Sequence, residues 1–218
     1  MNVRTAVMTL ACTLLSLSGC GGGDYDDAAQ TFTSKIYSDS RFDGDIERIA
    51  SNSFTVTQGM SSSVQSVLAG IDPVGGTEFR AFLDFPLTGA VPGNAFISSA
   101  TLEIYINDLQ PSTGRLPVRV DLVAFQPPTL IDTDYDRTLQ PALASVIISP
   151  DITRADVGQF VPIDVTPLMV EAQRRRLVDF QVRIMEELGP AIPVLMVIDD
   201  STGSARTSYA PLLIVKYY

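Results

Sequence analysis

From Thr31 onward the chain is a succession of short runs in which apolar and polar residues alternate, broken by Gly, Pro, Asn and Asp. A period of two is the mark of a strand that turns one face to a core. The clearest case is Thr101-Leu102-Glu103-Ile104-Tyr105-Ile106, which puts Leu102, Ile104 and Ile106 on one side. These three are expected in the core, with Phe82 and Val120 on neighbouring strands. Val118-Arg119-Val120-Asp121-Leu122-Val123 repeats the device, with Arg119 and Asp121 facing out, and Phe180-Gln181-Val182-Arg183-Ile184 repeats it again. Further strands are predicted over Phe32–Tyr37, Ile46–Ile49, Phe54–Gln58, Val64–Ala69, Glu78–Phe85, Ala144–Ser149, Gln159–Val165, Val194–Ile198 and Pro211–Tyr217. The three alternating runs extend to Ser99–Asn107, Val118–Phe125 and Val178–Met185. Turn signals separate them at Pro73–Gly76, Pro92–Asn94, Pro111–Gly114 and Ser201–Gly203. One helix is predicted near 166–176, with Thr166 as N-cap and Pro167 in the first position. Leu168, Met169 and Ala172 make its apolar face, and Arg174, Arg175 and Arg176 fall in the last turn, where cations suit the helix dipole. The pattern predicts an all-β fold, a β-sandwich jelly roll with one short helix.

The chain has 218 residues, which suits a single core. Lys plus Arg is 15 and Asp plus Glu is 25, for a net charge of −10. That balance argues against a nucleic-acid partner, which needs a basic face. The absence of His removes Ser-His, Cys-His and His-ligated metal mechanisms together. The absence of Trp weakens the commonest platform for stacking a sugar ring. Lys35 and Lys216 are the only lysines, so a Ser-Lys dyad has few places to stand.

Residues 1–19 have the order of a signal peptide: a charged start with Arg4, an apolar run from Ala6 to Leu17, then small residues. The run is too short for a membrane span. Leu17-Ser18-Gly19-Cys20 resembles a bacterial lipobox, in which small residues flank the cut and the Cys20 thiol carries lipid. An ordinary secretory signal with an incidental Cys is the alternative. The resemblance implies a lipidated Cys20 followed by a flexible tether over 20–30, with one domain over 31–218. It also implies a bacterial envelope protein held to the membrane by acyl chains, such as palmitate. Gly21 stands where an Asp would mark inner-membrane retention, and so favours the outer membrane. In the tether, Asp24, Asp26 and Asp27 keep the chain solvated, or alternatively gather a cation.

Arg80-Ala81-Phe82-Leu83-Asp84-Phe85, followed by Ile97-Ser98-Ser99-Ala100-Thr101-Leu102-Glu103-Ile104-Tyr105, resembles the core of the DNRLRE domain. Asp164-Val165-Thr166 before the helix matches that family's "D-V-T" step, and Ala210-Pro211-Leu212-Leu213-Ile214-Val215-Lys216-Tyr217 is similar to its closing strand. Pro86 departs from the usual polar residue. The resemblance covers roughly residues 45 to 218. It implies a jelly roll akin to carbohydrate-binding modules and carries no set of catalytic residues.

Three acidic groups are candidates for chemistry. Asp132-Thr133-Asp134-Tyr135-Asp136 has the opening spacing of an EF-hand loop, but Arg137 and Leu143 stand where that loop needs Gly and Glu. Asp132, Asp134 and Asp136 could still hold a structural Ca²⁺ with backbone carbonyls, or form a solvated loop. Asp39, Asp43 and Asp45 around Gly44 are a second candidate, and Asp199-Asp200 reads as a turn. A glycosidase would need two acids across a cleft, and no pair is singled out. Among the tyrosines, Tyr135 is the preferred ligand-binding platform, with an apolar face and a polar tip in an acidic loop. The three arginines at 174–176 are a ligand or lipid-headgroup patch, or a solvated helix end. The function expected is a non-catalytic, membrane-anchored envelope lipoprotein whose jelly roll binds an extracellular glycan or an envelope partner. The alternatives are a structural assembly protein with no small ligand, and a polysaccharide-acting enzyme.

Overall fold

The computed structural model describes residues 30–51, 53–59, 65–125, 129–187 and 192–218. Cys20 and the tether lie outside them, as do Tyr25 and Val64. The described chain runs β1 (Phe32–Tyr37), β2 (Gly44–Ala50), β3 (Ser53–Gln58), β4 (Ser66–Ile71), β5 (Glu78–Pro86), β6 (Ile97–Gln110), β7 (Arg115–Leu116), β8 (Val118–Val123), β9 (Ala144–Ile147), β10 (Ile152–Thr153) and β11 (Phe160–Asp164). It continues through α1 (Thr166–Arg175), β12 (Asp179–Glu186), β13 (Leu195–Asp199), α2 (Arg206–Tyr209) and β14 (Leu212–Tyr217). The fold is an all-β sandwich. Each strand predicted from the alternation is present, shifted by a few residues at its ends. The two-residue strands β7 and β10, and the one-turn helix α2, are too short for a period to reveal.

Among the described residues the strand pairing is antiparallel, in the order β1-β14-β6-β13-β4-β5-β12-β8-β9, with β11 also on β6, the β2–β3 hairpin on β5, and β7 and β10 paired apart from the rest. The curl comes from β6. It pairs β14 along its first half and β13 along its second, so one 14-residue strand belongs to both layers. The main core lies between the layers. Leu102, Ile104 and Ile106 are fully buried there, opposite Ala81, Leu83 and Phe85 of β5 and Val118, Val120 and Leu122 of β8. Helix α1 closes one side with Leu168, Met169 and Ala172.

The cap of α1 differs from expectation. Asp164 Oδ1 accepts the Thr166 N–H at 2.9 Å, and Thr166 Oγ1 accepts from Ala100 N–H on β6 at 2.9 Å. Thr166 therefore pins the helix to the sheet as its first residue, the N-cap position falls on Val165 with no side-chain cap, and Asp164 before it holds the first helical N–H. Arg176 ends the helix in the left-handed region at φ 56°, where glycine is the common choice.

Three expectations about facing are corrected. Phe82 points away from Leu102 and packs with Ile46, Val123, Phe125, Leu130 and Tyr135 in a second, smaller core. Asp121 and Arg183 do not face solvent: both side chains are 0% exposed. The cause is a cover that alternation cannot show. The segment from Leu130 to Leu143 lies over the outer face of β5, β12 and β8, beside the β2–β3 hairpin, which extends the sheet at the β5 edge. Under this cover Arg183 stands directly opposite Asp121 in the β12–β8 ladder and pairs with it at 2.8 Å. It also donates to the Asp134 and Gln140 carbonyls at 2.9 and 3.1 Å. Ser145 Oγ donates to the other Asp121 oxygen at 2.6 Å. A buried charge held by that many partners is tolerable; one without them is not.

Candidate functional site

The cover over β5 and β12 leaves a groove of about 300 Å³ lined by Arg48, Ser51, Phe54, Arg80, Tyr135, Asp136, Arg137 and Met185. Each lining element has a physical reason to be there. Arg48 on β2 pairs in register with Glu78 on β5, and their side chains meet at 2.6 Å. Arg80, on the same face of β5 as Glu78, reaches it at 2.8 Å and donates to the Tyr135 carbonyl. Arg137 follows the one-turn helical segment Asp132–Tyr135 and reaches Asp121 at 3.5 Å. Burial pushes the Glu78 carboxyl up, but Arg80, Tyr135 and Arg48 outweigh it and hold it below its usual range.

The Tyr135 ring turns inward. Its residue is 3% exposed, and its ring packs 5.1 Å from Phe54. The Arg80 guanidinium lies 3.9 Å and the Arg48 guanidinium 5.3 Å from the ring centroid. The ring therefore serves as a floor that fixes two guanidinium planes. Arg48 and Arg137 are 44% and 33% exposed at the side chain, so they can still turn N–H donors into the groove. The lining holds three arginines and one aspartate in a protein of net charge −10. Such an arrangement suits a flat or chair-shaped solute carrying carboxylate or sulfate.

Asp132, Asp134 and Asp136 turn to different partners. Asp134 Oδ2 accepts the Ile131 N–H at 3.0 Å, which closes the helical turn. Asp136 Oδ1 turns the other way and accepts from Thr138 N–H and Oγ1 at 2.7 Å. These Thr138 bonds lower the Asp136 pKa, whereas burial raises that of Asp134. Asp132 stays exposed. Among the described residues no three acids, thiols or imidazoles come together to hold a metal. The spacing of the EF-hand opening is used here for turn capping.

The structure instead joins one aspartate from each of the other two candidates. Asp43, 0% exposed, and Asp200, also 0% exposed, face each other. Gly44 lets β2 start this close to β3, because a Cβ there would lie 2.3 Å from the Thr57 carbonyl. Asp43 Oδ1 accepts the Asp84 N–H at 2.8 Å. Arg206 of α2 donates to Asp200 at 2.9 Å, lies 3.6 Å from Asp43 and also bonds the Ser38 carbonyl. Burial, then the Asp200 charge, pushes Asp43 well above the usual carboxylate range, and burial raises Asp200. The pair latches α2 to the β1–β2 connection through Arg206. Asp39 has left the group and ion-pairs with Arg41. Asp45 accepts the Leu68 N–H at 3.2 Å.

These buried acids set a pH dependence. Burial pushes Asp45 up to about 7, Asp84 to about 6 and Glu186 to about 7. A carboxyl whose folded pKa exceeds its unfolded one stabilises the fold fully below the unfolded pKa, near 4, and loses that contribution as pH rises through the folded value. Glu171, held down to about 2 by Arg174 and Arg175, works in the opposite sense below about pH 4, but its pairs lie at the protein surface and are screened. The melting temperature is therefore expected to fall between about pH 5 and about pH 8. Thermal melts across that range check it, and a rise would contradict the assignment of buried neutral acids.

Arg48, Arg80 and Arg137 were not singled out by sequence, because they come from two strands and a loop. The available signal was compositional: with Lys35 and Lys216 the only lysines, nearly every cation is the residue suited to bidentate recognition. No family model matches the chain, and no curated protein matches it. Among solved structures, one described as "Structure of infectious bursal disease virus Gt strain" aligns at 13% identity and a TM-score of 0.16. The alignment covers 87% of this chain and 38% of that one. A similarity of that size carries no argument about function.

Proposed function

We propose that this chain is a lipid-anchored, non-catalytic protein of the bacterial outer membrane that binds an acidic extracellular glycan. The observation that carries the reading is the arginine groove: Arg48, Arg80 and Arg137 over a tyrosine floor, in a chain whose overall charge would otherwise repel such a ligand. Guanidinium groups bind sugar carboxylates or sulfates through charge-assisted, often paired hydrogen bonds. The resemblance of the β5 and β6 segments to the DNRLRE domain supports the same class of ligand, and Leu17-Ser18-Gly19-Cys20 supports the anchor. A bound uronate would draw Arg137 toward the groove, away from its 3.5 Å contact with Asp121. Arg183 keeps Asp121 neutralised when that happens.

The test is titration of the full acylated chain with uronic-acid oligomers and with neutral oligomers of the same length. Binding is expected for the acidic series alone and should weaken with added salt, since part of the attraction is screened. Equal binding of the neutral series, or none of either, would overturn the reading.

A further inference from the structure

One end of the sandwich combines exposed aromatic surface with an excess of cations. Phe32 at the start of β1 stacks on Tyr217 at 5.8 Å, and Phe96 stacks on Tyr218 at 5.1 Å. Phe32, Phe96, Val178 and Tyr218 are 48%, 65%, 65% and 48% exposed. Backbone bonds from Phe96 to Tyr218 and from Leu87 to Val178 bring these residues to the same end. Gln173 of α1 donates to the Pro92 and Ala95 carbonyls, which places the helix C-terminus and its arginines beside them. The segments that build this end are 32–37, 87–96, 171–179 and 212–218. They contain Lys35, Lys216 and the three arginines at 174–176, against two acids, Glu171, which pairs with Arg174 and Arg175, and Asp179. The rest of the chain is strongly acidic, so the clustering is local.

We propose that this end rests on the bilayer, with the exposed aromatic rings in the headgroup–acyl boundary and the cations on lipid phosphates. The proposal rests on the lipid-anchor reading, because sequence position supplies the geometry. Cys20 precedes Phe32 by 12 residues. Fully extended, a stretch of that length reaches at most roughly 40 Å. An acyl anchor on Cys20 thus keeps the β1 start within that distance of the surface. Tethering raises the local concentration enough for a weak contact to form. Aromatic rings with a polar tip suit that interface, and cations beside them add attraction to anionic lipid. The bilayer is favoured over a soluble partner because it is already present within the reach of the tether.

The absence of Trp allows a clean test. Phe96→Trp places a reporter in the patch, Tyr218→Trp gives a second, and Val74→Trp gives a control. Val74 is 94% exposed in the turn before β5, at the opposite end of that strand from Leu87. Each full-length acylated protein is reconstituted in phosphatidylethanolamine–phosphatidylglycerol vesicles, and its mass is measured to read the acyl chains. Emission from positions 96 and 218 should shift to the blue, resist acrylamide and be quenched by brominated lipid. Emission from position 74 should do none of these. Acylated protein whose reporter at 96 stays as wet as that at 74 overturns the docking alone. Protein without acyl chains on Cys20 overturns the anchor and the docking together. A shift that depends on protein density and ignores brominated lipid means a second copy covers the patch, which also overturns the docking.

Discussion

Arg183→Ala will destabilise the fold by about 3–5 kcal/mol, the cost of leaving a buried charge without its partner. The substitution takes the closest cation from Asp121, which is 0% exposed, and leaves Arg137 at 3.5 Å and the more distant Arg119 to balance it. It also removes the donor to the Asp134 and Gln140 carbonyls, which Arg183 joins to the β-layer. For a domain of this size the melting temperature should drop by about 10 °C. The paired change Asp121→Asn with Arg183→Met should cost less than the two single changes added together, because no uncompensated charge remains. Denaturant unfolding of Arg183→Ala, of the two single changes and of the double measures this. A loss below about 1 kcal/mol for Arg183→Ala would mean that water reaches the pair.

Leu102→Ala should cost about 2–5 kcal/mol through lost transfer energy and the cavity left behind. Leu102 is fully buried on β6 between Ile163 of β11 and Leu213 of β14, its partners in the two ladders. Both neighbours are held in place by strand pairing, so the site cannot collapse readily. Unfolding in urea reads the change, and a loss below about 0.5 kcal/mol would place this strand at the surface.

The difference between β6 and β12 shows how far the sequence could be read. On β6 the polar residues between Leu102, Ile104 and Ile106 face outward as alternation predicts, because no second layer covers Glu103. On β12 the same alternation is present, yet Gln181 and Arg183 are buried. Their cover comes from segments more than 40 residues away in sequence, and no local period records such an arrival. A hint was present on β5, where Ala81-Phe82-Leu83 is continuously apolar. Such a run signals a strand buried on both faces. The site follows the same logic. Tyr135 and Asp136 were visible as an unusual loop, but their roles depend on Arg48 and Arg80, which the sheet delivers from elsewhere. Asp43 and Asp200 were each visible in separate candidates, and only the antiparallel return of β13 brings them face to face.

Affinity for a uronic-acid oligomer, compared between the full chain and a variant carrying Arg48→Ser and Arg137→Ser, tests the central claim most directly. Both side chains are partly exposed, so the variant should fold, and a matching melt would verify it. Losing two charge-assisted bonds of about 1.5–3 kcal/mol each predicts a fall in affinity of at least about a hundredfold. Salt dependence should fall with it. Unchanged affinity in a folded variant would contradict the arginine groove as the binding site.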